Sequence, residues 1–531
     1  MKKGLYNGKI YQGKGKFCKC LLIDDGRIVY AGDDLIKDEY EMYDLKGKTV
    51  IPGLNDSHMH VFYLAETYAQ ADIKDAKSID ELIDITKKFI EDNPELVKGG
   101  VYARGYNDDY FSDKRLPDKN DLDKISTDIP IVLNRVCGHM CSVNSLALKM
   151  MKERYDLDEL PDGEVVYGRD GKPDGIFTEN SVGKCISLVE DINKNTKKIL
   201  LKKAMKYLLS TGVTSIQSND FDDFENDDEV KEILEDLYKN EEGLVRYYGQ
   251  ACFGEDEYES LKRVLENDGY HLGYENEMIR MGPLKLFKDG SLGARTAEMY
   301  EDYHDDKGNR GVVVHTKEEI KKLTLLANKY GISVMTHAIG DKAVDEVCDA
   351  YIETDKEGYN RYRNCINHCQ ITSYEMLKKM AENSICVAYQ PVFLEYDLHI
   401  VKDRVGEELA RTSYAYKTLK DMGAPVSFGT DCPVEDCNGF MNLYCAINRK
   451  DFNNSETYNP EERMSVMEAI DAYTSGSAYQ SFEEGYKGLL KEGYYADLVV
   501  LEEDIFNMDP EKIKDLKAYM TMVNGKVVYH R

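Results

Sequence analysis

Eight short apolar runs, most of them separated by helix-like segments, constrain this chain more than any other feature. The first is Ile51–His60. The others are "GVTSIQSND" from Gly212, "GLVRYYGQACF" from Gly243, "GPLKLFKDG" from Gly282, "GISVMTHAIGD" from Gly331, "RNCINHCQ" from Arg363, "NSICVAYQP" from Asn383 and "GAPVSFGTDCP" from Gly423. Segments such as "TKEEIKKLTLLANKYG" from Thr316 and "TSYEMLKKMAEN" from Thr372 lie between them. Thr316 with Glu319, and Thr372 with Glu375, have the spacing of capping boxes. Strands covered on both faces read as continuous apolar runs. Eight of them alternating with helices suit a closed (β/α)8 barrel, whose functional groups gather at the C-terminal strand ends. An open doubly wound sheet would alternate in the same way, but its phosphate-binding glycine fingerprint is missing.

One gap breaks the rhythm. About 150 residues separate the first two runs, far more than a βα connection needs. This predicts an inserted domain over the barrel mouth. The first 50 residues and the last 40 share another style, short alternating runs closed by Gly or Asp-Gly, with Asn524-Gly525 as a strong turn. Both ends are therefore expected to join in one small β domain. The expected organisation is a β-sandwich part over 1–53, barrel strand 1 in 54–70, the insertion over 71–200, the remaining barrel over 201–480 and the second sandwich part over 481–531. "NDFDDFENDDE" from Asn219 reads as a solvated acidic loop.

The chain has 531 residues and a formal charge of -29, which argues against nucleic acid or an anionic membrane as partner. No stretch reaches the roughly 18 apolar residues that span a bilayer, and the start lacks a signal-peptide core. A cytoplasmic protein acting on a small molecule is expected, with a homodimer as the commonest assembly. Thirteen cysteines without a C-x-x-C pair read as reduced, buried thiols.

Polar residues at the ends of these runs carry the chemistry. His58 and His60 are one residue apart, and alternate strand residues share a face. His337, His368 and Asp431 end later runs, and Lys285 lies within another. Each alone fits a satisfied core residue. Together they need partners, because an unpaired buried polar group costs several kcal/mol. A metal ion is an economical partner for imidazoles and carboxylates.

The motifs "PGLNDSHMH", "LKLFKDGSLGARTA", "THAIGDKAV", "NHCQ", "FGTDCPV" and "GSAYQSFEEGYKGLLKEGYYADLVVLEED" stand in one order from about Gly8 to Gly525. In this the chain resembles the amidohydrolase superfamily, and within it the branch of YtcJ-like, N-substituted formamide deformylase-like hydrolases. The resemblance implies a TIM barrel bearing one or two divalent metals, usually Zn2+, a β-sandwich from both termini, an inserted α/β domain, and hydrolysis of amide or other non-peptide C–N bonds. It implies His58, His60, His337, His368 and Asp431 as metal ligands, with Asp431 also as proton shuttle. Lys285 matches the lysine that is carboxylated in binuclear members; Lys288 is near enough to compete for that assignment. The insertion adds His139 as a catalytic or substrate-orienting residue and Glu179 as a metal-shell residue, and Arg295 stands as a substrate clamp or a structural residue.

Similar family members carry an acidic residue where this chain has Asn367, which strand alternation should turn away from the metal. The same ligands would also serve a deaminase, a cyclic amidase or an isomerase. A non-catalytic binding barrel is the remaining reading.

Overall fold

The computed structural model describes residues 2–34, 39–112, 114–161, 164–189, 192–355, 358–453 and 457–531. The chain forms two compact units, Met1–Val61 with Lys202–Arg531, and Phe62–Leu201.

Eight parallel strands organise the first unit: β1 (Leu54–Met59), β2 (Val213–Phe221), β3 (Arg246–Ala251), β4 (Ile279–Phe287), β5 (Val334–Ala338), β6 (Cys365–His368), β7 (Cys386–Tyr389) and β8 (Val426–Phe428). They lie side by side in chain order, with Ile216 opposite Asp56 and Tyr247, Lys285 opposite Met335, and Val387 opposite Val426. Just past β8 the ring is drawn together, as the Asp431 N–H donates to His58 O at 2.8 Å and the His60 N–H to Cys432 O at 2.7 Å. Gly429 belongs to this seam, since a Cβ there would lie 2.6 Å from the His58 backbone nitrogen.

Every residue of β1 is buried, including Asn55, Asp56 and Ser57. Asp56 is tolerated because the seam satisfies it: Thr430 Oγ1 donates at 2.7 Å, Tyr473 Oη at 3.0 Å and the Thr430 N–H at 3.1 Å. Burial still pushes its carboxyl up to about 7, against the pull of these bonds.

The helix Lys317–Lys329 starts at the expected Thr316–Glu319 capping box and buries Ile320, Leu323 and Ala327. The helix Tyr374–Glu382 starts differently. Its cap is Ser373, which accepts from the Met376 N–H, while the Thr372 hydroxyl donates to Thr412 O instead. The acidic stretch after β2 is also not simply solvated. Phe221 and Phe224 are buried in edge contact at 5.2 Å, Tyr247 Oη donates to Asp220, and Arg263 and Ser260 bind Glu225.

The two chain ends form the expected sandwich. One sheet orders Arg27–Gly32, Cys20–Asp24, Lys3–Tyr6 and Glu41–Asp44; the other holds Thr49–Pro52 beside Leu498–Leu501, with Val499 opposite Ile51. Leu5, Ile10, Leu21, Val50, Leu498 and Val500 fill the core between them. Asn524 and Gly525, both at positive φ, turn the last hairpin.

The second unit is an α/β fold. Its six-stranded sheet runs Val165–Tyr167, Pro173–Thr178, Met140–Val143, Ile131–Arg135, Val101–Tyr106, Ala71–Asp72, parallel at the Ala71 side and antiparallel at the other. Separate apolar clusters form around the helix Ile79–Asp92 and around the helices Ser145–Arg154 and Asn180–Ile186. The thirteen cysteines are free thiols, buried except for Cys137. Among the described residues no helix is long and apolar enough to cross a membrane.

Candidate metal centre

The polar residues singled out in β1, β4, β5, β6 and after β8 come together. His58 Nε2 and His60 Nε2 each lie 3.2 Å from Asp431 Oδ1. The donor atoms of these three residues all fall within 4.8 Å of one another. The His58 ring is 5.7 Å from that of His368, and His337 and His368 are 4.5 Å apart, centroid to centroid. Lys285 is buried on β4, its Nζ 4.5 Å from the Phe287 ring centre. Lys288, the competing lysine, is committed elsewhere, ion-paired with Glu298 and with Glu346 at 3.0 Å.

Hydrogen bonds fix which nitrogen of each imidazole is free. His60 Nδ1 meets the Asn219 backbone carbonyl at 2.6 Å, and His337 Nε2 meets Gly290 O at 2.9 Å. A carbonyl only accepts, so those nitrogens carry the hydrogen; His337 Nδ1 keeps its lone pair, while His60 Nε2 meets a second acceptor in Asp431 Oδ1. His58 Nδ1 faces Gln250 Oε1 at 2.7 Å, and His368 Nδ1 faces Gln390 Oε1 at 2.8 Å. The centre therefore gathers imidazole nitrogens around a carboxylate oxygen, with His60 facing an acceptor at each ring nitrogen and His368 Nε2 accepting from Asn367 Nδ2 at 2.8 Å. Such a set repels itself unless a cation or a proton sits within it.

The protonation states suit a cation. Burial, aided by the charge of Lys285, lowers His58 and His337 to about 4. Burial and the neighbouring His337 take His368 well below its ordinary value. Burial opposes charge on His60 as well, but the Asp431 carboxylate outweighs it and the ring is raised. Burial pushes Asp431 up, yet the hydrogen bonds from His58 and His60 hold it well below the usual carboxylate range. Burial also lowers Lys285, against the attraction of Asp431. Neutral His58, His337 and His368 and an ionised Asp431 are in the forms that bind metal.

Two residues here adopt left-handed backbone, His368 at φ 73° and Asp431 at φ 58°. Non-glycine residues held there are strained, and such strain concentrates at functional sites. At His368 it breaks the strand alternation. Asn367, expected to point away, donates from Nδ2 to His368 Nε2 at 2.8 Å.

The other residues singled out make their own contacts. In the second unit His139 Nδ1 is 3.2 Å from Glu179 Oε2, and the Glu179 N–H donates to His139 O at 2.9 Å. Glu179 has φ 50° and ψ -126°, a conformation suited to glycine. Arg295 is held by both oxygens of Asp305, at 3.0 and 2.9 Å, and Asp305 also pairs with Arg404.

Sequence reasoning missed Gln250, Gln390 and the aromatic neighbours Phe393 and Phe287. Phe393 stacks on His368 at 5.9 Å, and Phe287 tilts against His337 at 5.6 Å. Gln250 did carry a signal, as a carboxamide inside the apolar run "YYGQACF" has to find a buried partner.

The profile of the Amidohydrolase family matches residues 41–529. The YtcJ protein of Bacillus subtilis (strain 168) is 30% identical over 541 residues, covering 100% of both chains. The N-substituted formamide deformylase of Arthrobacter pascens is 24% identical, over 99% of this chain and 97% of its own. Among solved structures, an uncharacterized metal-dependent hydrolase from Pyrococcus furiosus superposes with a TM-score of 0.78 at 28% identity, over 96% of this chain and 100% of its own. With a profile that spans nearly the whole sequence and a fold shared with that hydrolase, this chain belongs to the amidohydrolase family.

Proposed function

We propose that the protein is a metal-dependent hydrolase of amide or other non-peptide C–N bonds in a small, N-substituted molecule. The observation that carries this reading is the convergence of His58 Nε2, His60 Nε2 and Asp431 Oδ1 within 4.8 Å. Two imidazoles and a carboxylate suit Zn2+. The related deformylase and the hydrolase of Pyrococcus furiosus support the same class.

His58, His60 and Asp431 would hold one cation. His337 and His368 would be further ligands for a divalent metal here, and Lys285 as a carbamate would add an anionic one. The carbamate would form when the neutral Lys285 amine adds to CO2 and loses a proton, leaving one negative charge shared over two oxygens where a cationic ammonium would be repelled. A divalent cation at this centre polarises the scissile carbonyl and acidifies water. Asp431 takes the proton of the attacking water on a carboxylate oxygen and returns it to the departing nitrogen. The half-buried rings of Phe287 and Phe393, beside His337 and His368, favour an apolar N-substituent. His139 enters only through the sequence resemblance, as a residue that orients the substrate; Glu179 enters in the same way.

Metal analysis of native protein, with a screen of N-formyl, N-acyl and cyclic amides, tests the proposal. Bound divalent metal and turnover of an open-chain amide are expected. Metal-free native protein that turns over none of these amides would refute it, and turnover of cyclic amides alone would move it to ring opening.

A further inference from the structure

Each of the four clustered imidazoles has one nitrogen bonded to a neutral oxygen. Two of those oxygens are backbone carbonyls, and the other two are the side-chain oxygens of Gln250 and Gln390. Both carboxamides are held in one orientation by their own N–H groups. Gln250 Nε2 donates to Ser57 O at 3.1 Å. Gln390 Nε2 donates to Ala388 O at 3.1 Å and to Asn367 Oδ1 at 3.0 Å. Turning either amide over would set its oxygen against a carbonyl and its NH2 against a ring N–H. Both glutamines are buried, so no water competes.

We propose that Gln250 and Gln390 are positioning residues. They fix His58 and His368 as Nδ1–H tautomers, which leaves the lone pair on Nε2, at His368 the atom that accepts from Asn367 Nδ2, and they do so without adding charge. This rests on the reading of His58 and His368 as metal ligands. A carboxylate in either place would draw the Nδ1 proton and make the ring a more basic ligand. A carboxamide sets the direction of the ring and leaves its basicity low. Asp431 then supplies the sole negative charge among His58, His60 and Asp431. The cation keeps more of its own charge for a substrate carbonyl and is held less tightly.

The test reads tautomer and metal affinity rather than turnover. Metal-free protein labelled with 15N-histidine reports each ring's tautomer by nitrogen chemical shift, with the two signals assigned from His58→Gln and His368→Gln. A protonated Nδ1 and a bare Nε2 are expected at both rings above neutral pH. Co2+ affinity, measured by chelator competition, is expected to fall about 10–100-fold in Gln250→Leu and Gln390→Leu, with altered visible absorption of the bound Co2+ and unchanged far-UV circular dichroism. Gln250→Glu and Gln390→Glu are expected to restore or exceed the parent's affinity, and they decide the matter where a Leu variant does not fold. An Nε2–H ring at either position, or parental Co2+ affinity and spectrum in both Leu variants, overturns the inference. So do Glu variants that bind Co2+ as weakly as folded Leu variants. Parent protein that takes up no Co2+ removes the ligand reading and this inference with it. Uptake by rings of the wrong tautomer removes this inference alone.

Discussion

His60 and His139 each place an imidazole nitrogen 3.2 Å from a carboxylate oxygen, that of Asp431 in one case and of Glu179 in the other. The distances match and the surroundings do not. The side chains of His60 and Asp431 are 15% and 12% exposed, those of His139 and Glu179 72% and 62%. His60 is also tied through Nδ1 to Asn219 O, and its partner carboxylate meets a second imidazole. An exposed pair of this kind contributes about 0–1 kcal/mol and holds its geometry loosely. The buried pair is fixed from both sides, and His58 Nε2 crowds the same carboxylate oxygen. A short histidine–carboxylate distance is thus weak evidence of a site. Burial, a tied second nitrogen and a second imidazole on the same carboxylate oxygen are what separate the two regions.

The largest expected effect falls on the buried region. His58→Ala combined with His60→Ala should abolish metal binding while far-UV circular dichroism stays native, because the seam uses their backbone rather than their side chains. Full metal retention would erase the contrast drawn above. Next, Asp431→Asn keeps the size but cannot take up a proton, so kcat/KM should fall by roughly 10²–10⁴ at saturating metal. Counting bound metal in the same sample separates a lost shuttle from a lost ligand; wild-type rates in fully metallated protein would exclude the shuttle. Lys285→Ala should lower metal content and activity together, on the order of 10–100-fold, with partial rescue by short carboxylic acids. An unmodified lysine in a high-resolution map of active protein would end the carbamate assignment.

Acid should also distinguish the regions. His58 and His337 have pKa values near 4 when folded, against about 6.5 in an unfolded chain. Between those values the unfolded state binds more protons, so their contribution to stability is lost as pH falls through that window. Asp56 and Asp289, raised to about 7 by burial, act in the opposite sense, and their contribution is lost as pH rises toward 7. Replacing one histidine isolates its share. From pH 7 to pH 5 the Tm of metal-free parent should drop further than that of His337→Gln; equal drops would contradict the neutral buried ring.

The smallest effect belongs to the exposed pair. Glu179→Gly should raise the stability of metal-free protein by about 1 kcal/mol through relief of its positive φ. Loss of stability in urea unfolding would mean that the Glu179 side chain does more than its exposure indicates.

The apolar runs made the barrel strands legible, since parallel strands buried on both faces leave an unbroken apolar record. The His-x-His spacing was equally readable. Asn367 was not, because alternation holds only while φ stays extended, and His368 departs from it at φ 73°. The cap at Ser373 eluded the capping-box rule, because Thr372 finds a better acceptor in Thr412 O, 40 residues away. Gln250 and Gln390 escaped for a related reason. Their partners are set by the barrel's curvature, and no local pattern encodes that.

The seam between β1 and β8 sets the order in which this chain becomes whole. Asp56 and Thr430, which bond across it, are separated by 374 positions. Loop-closure entropy grows only slowly with such a span, but contacts this distant in sequence delay folding. During synthesis β1 waits with one edge unpaired until residues near 430 emerge. The carboxylate of Asp431 arrives with that same segment. His58 and His60, made early, therefore meet the third member of their cluster only when the ring closes, and a metal held by all three would mark a finished barrel.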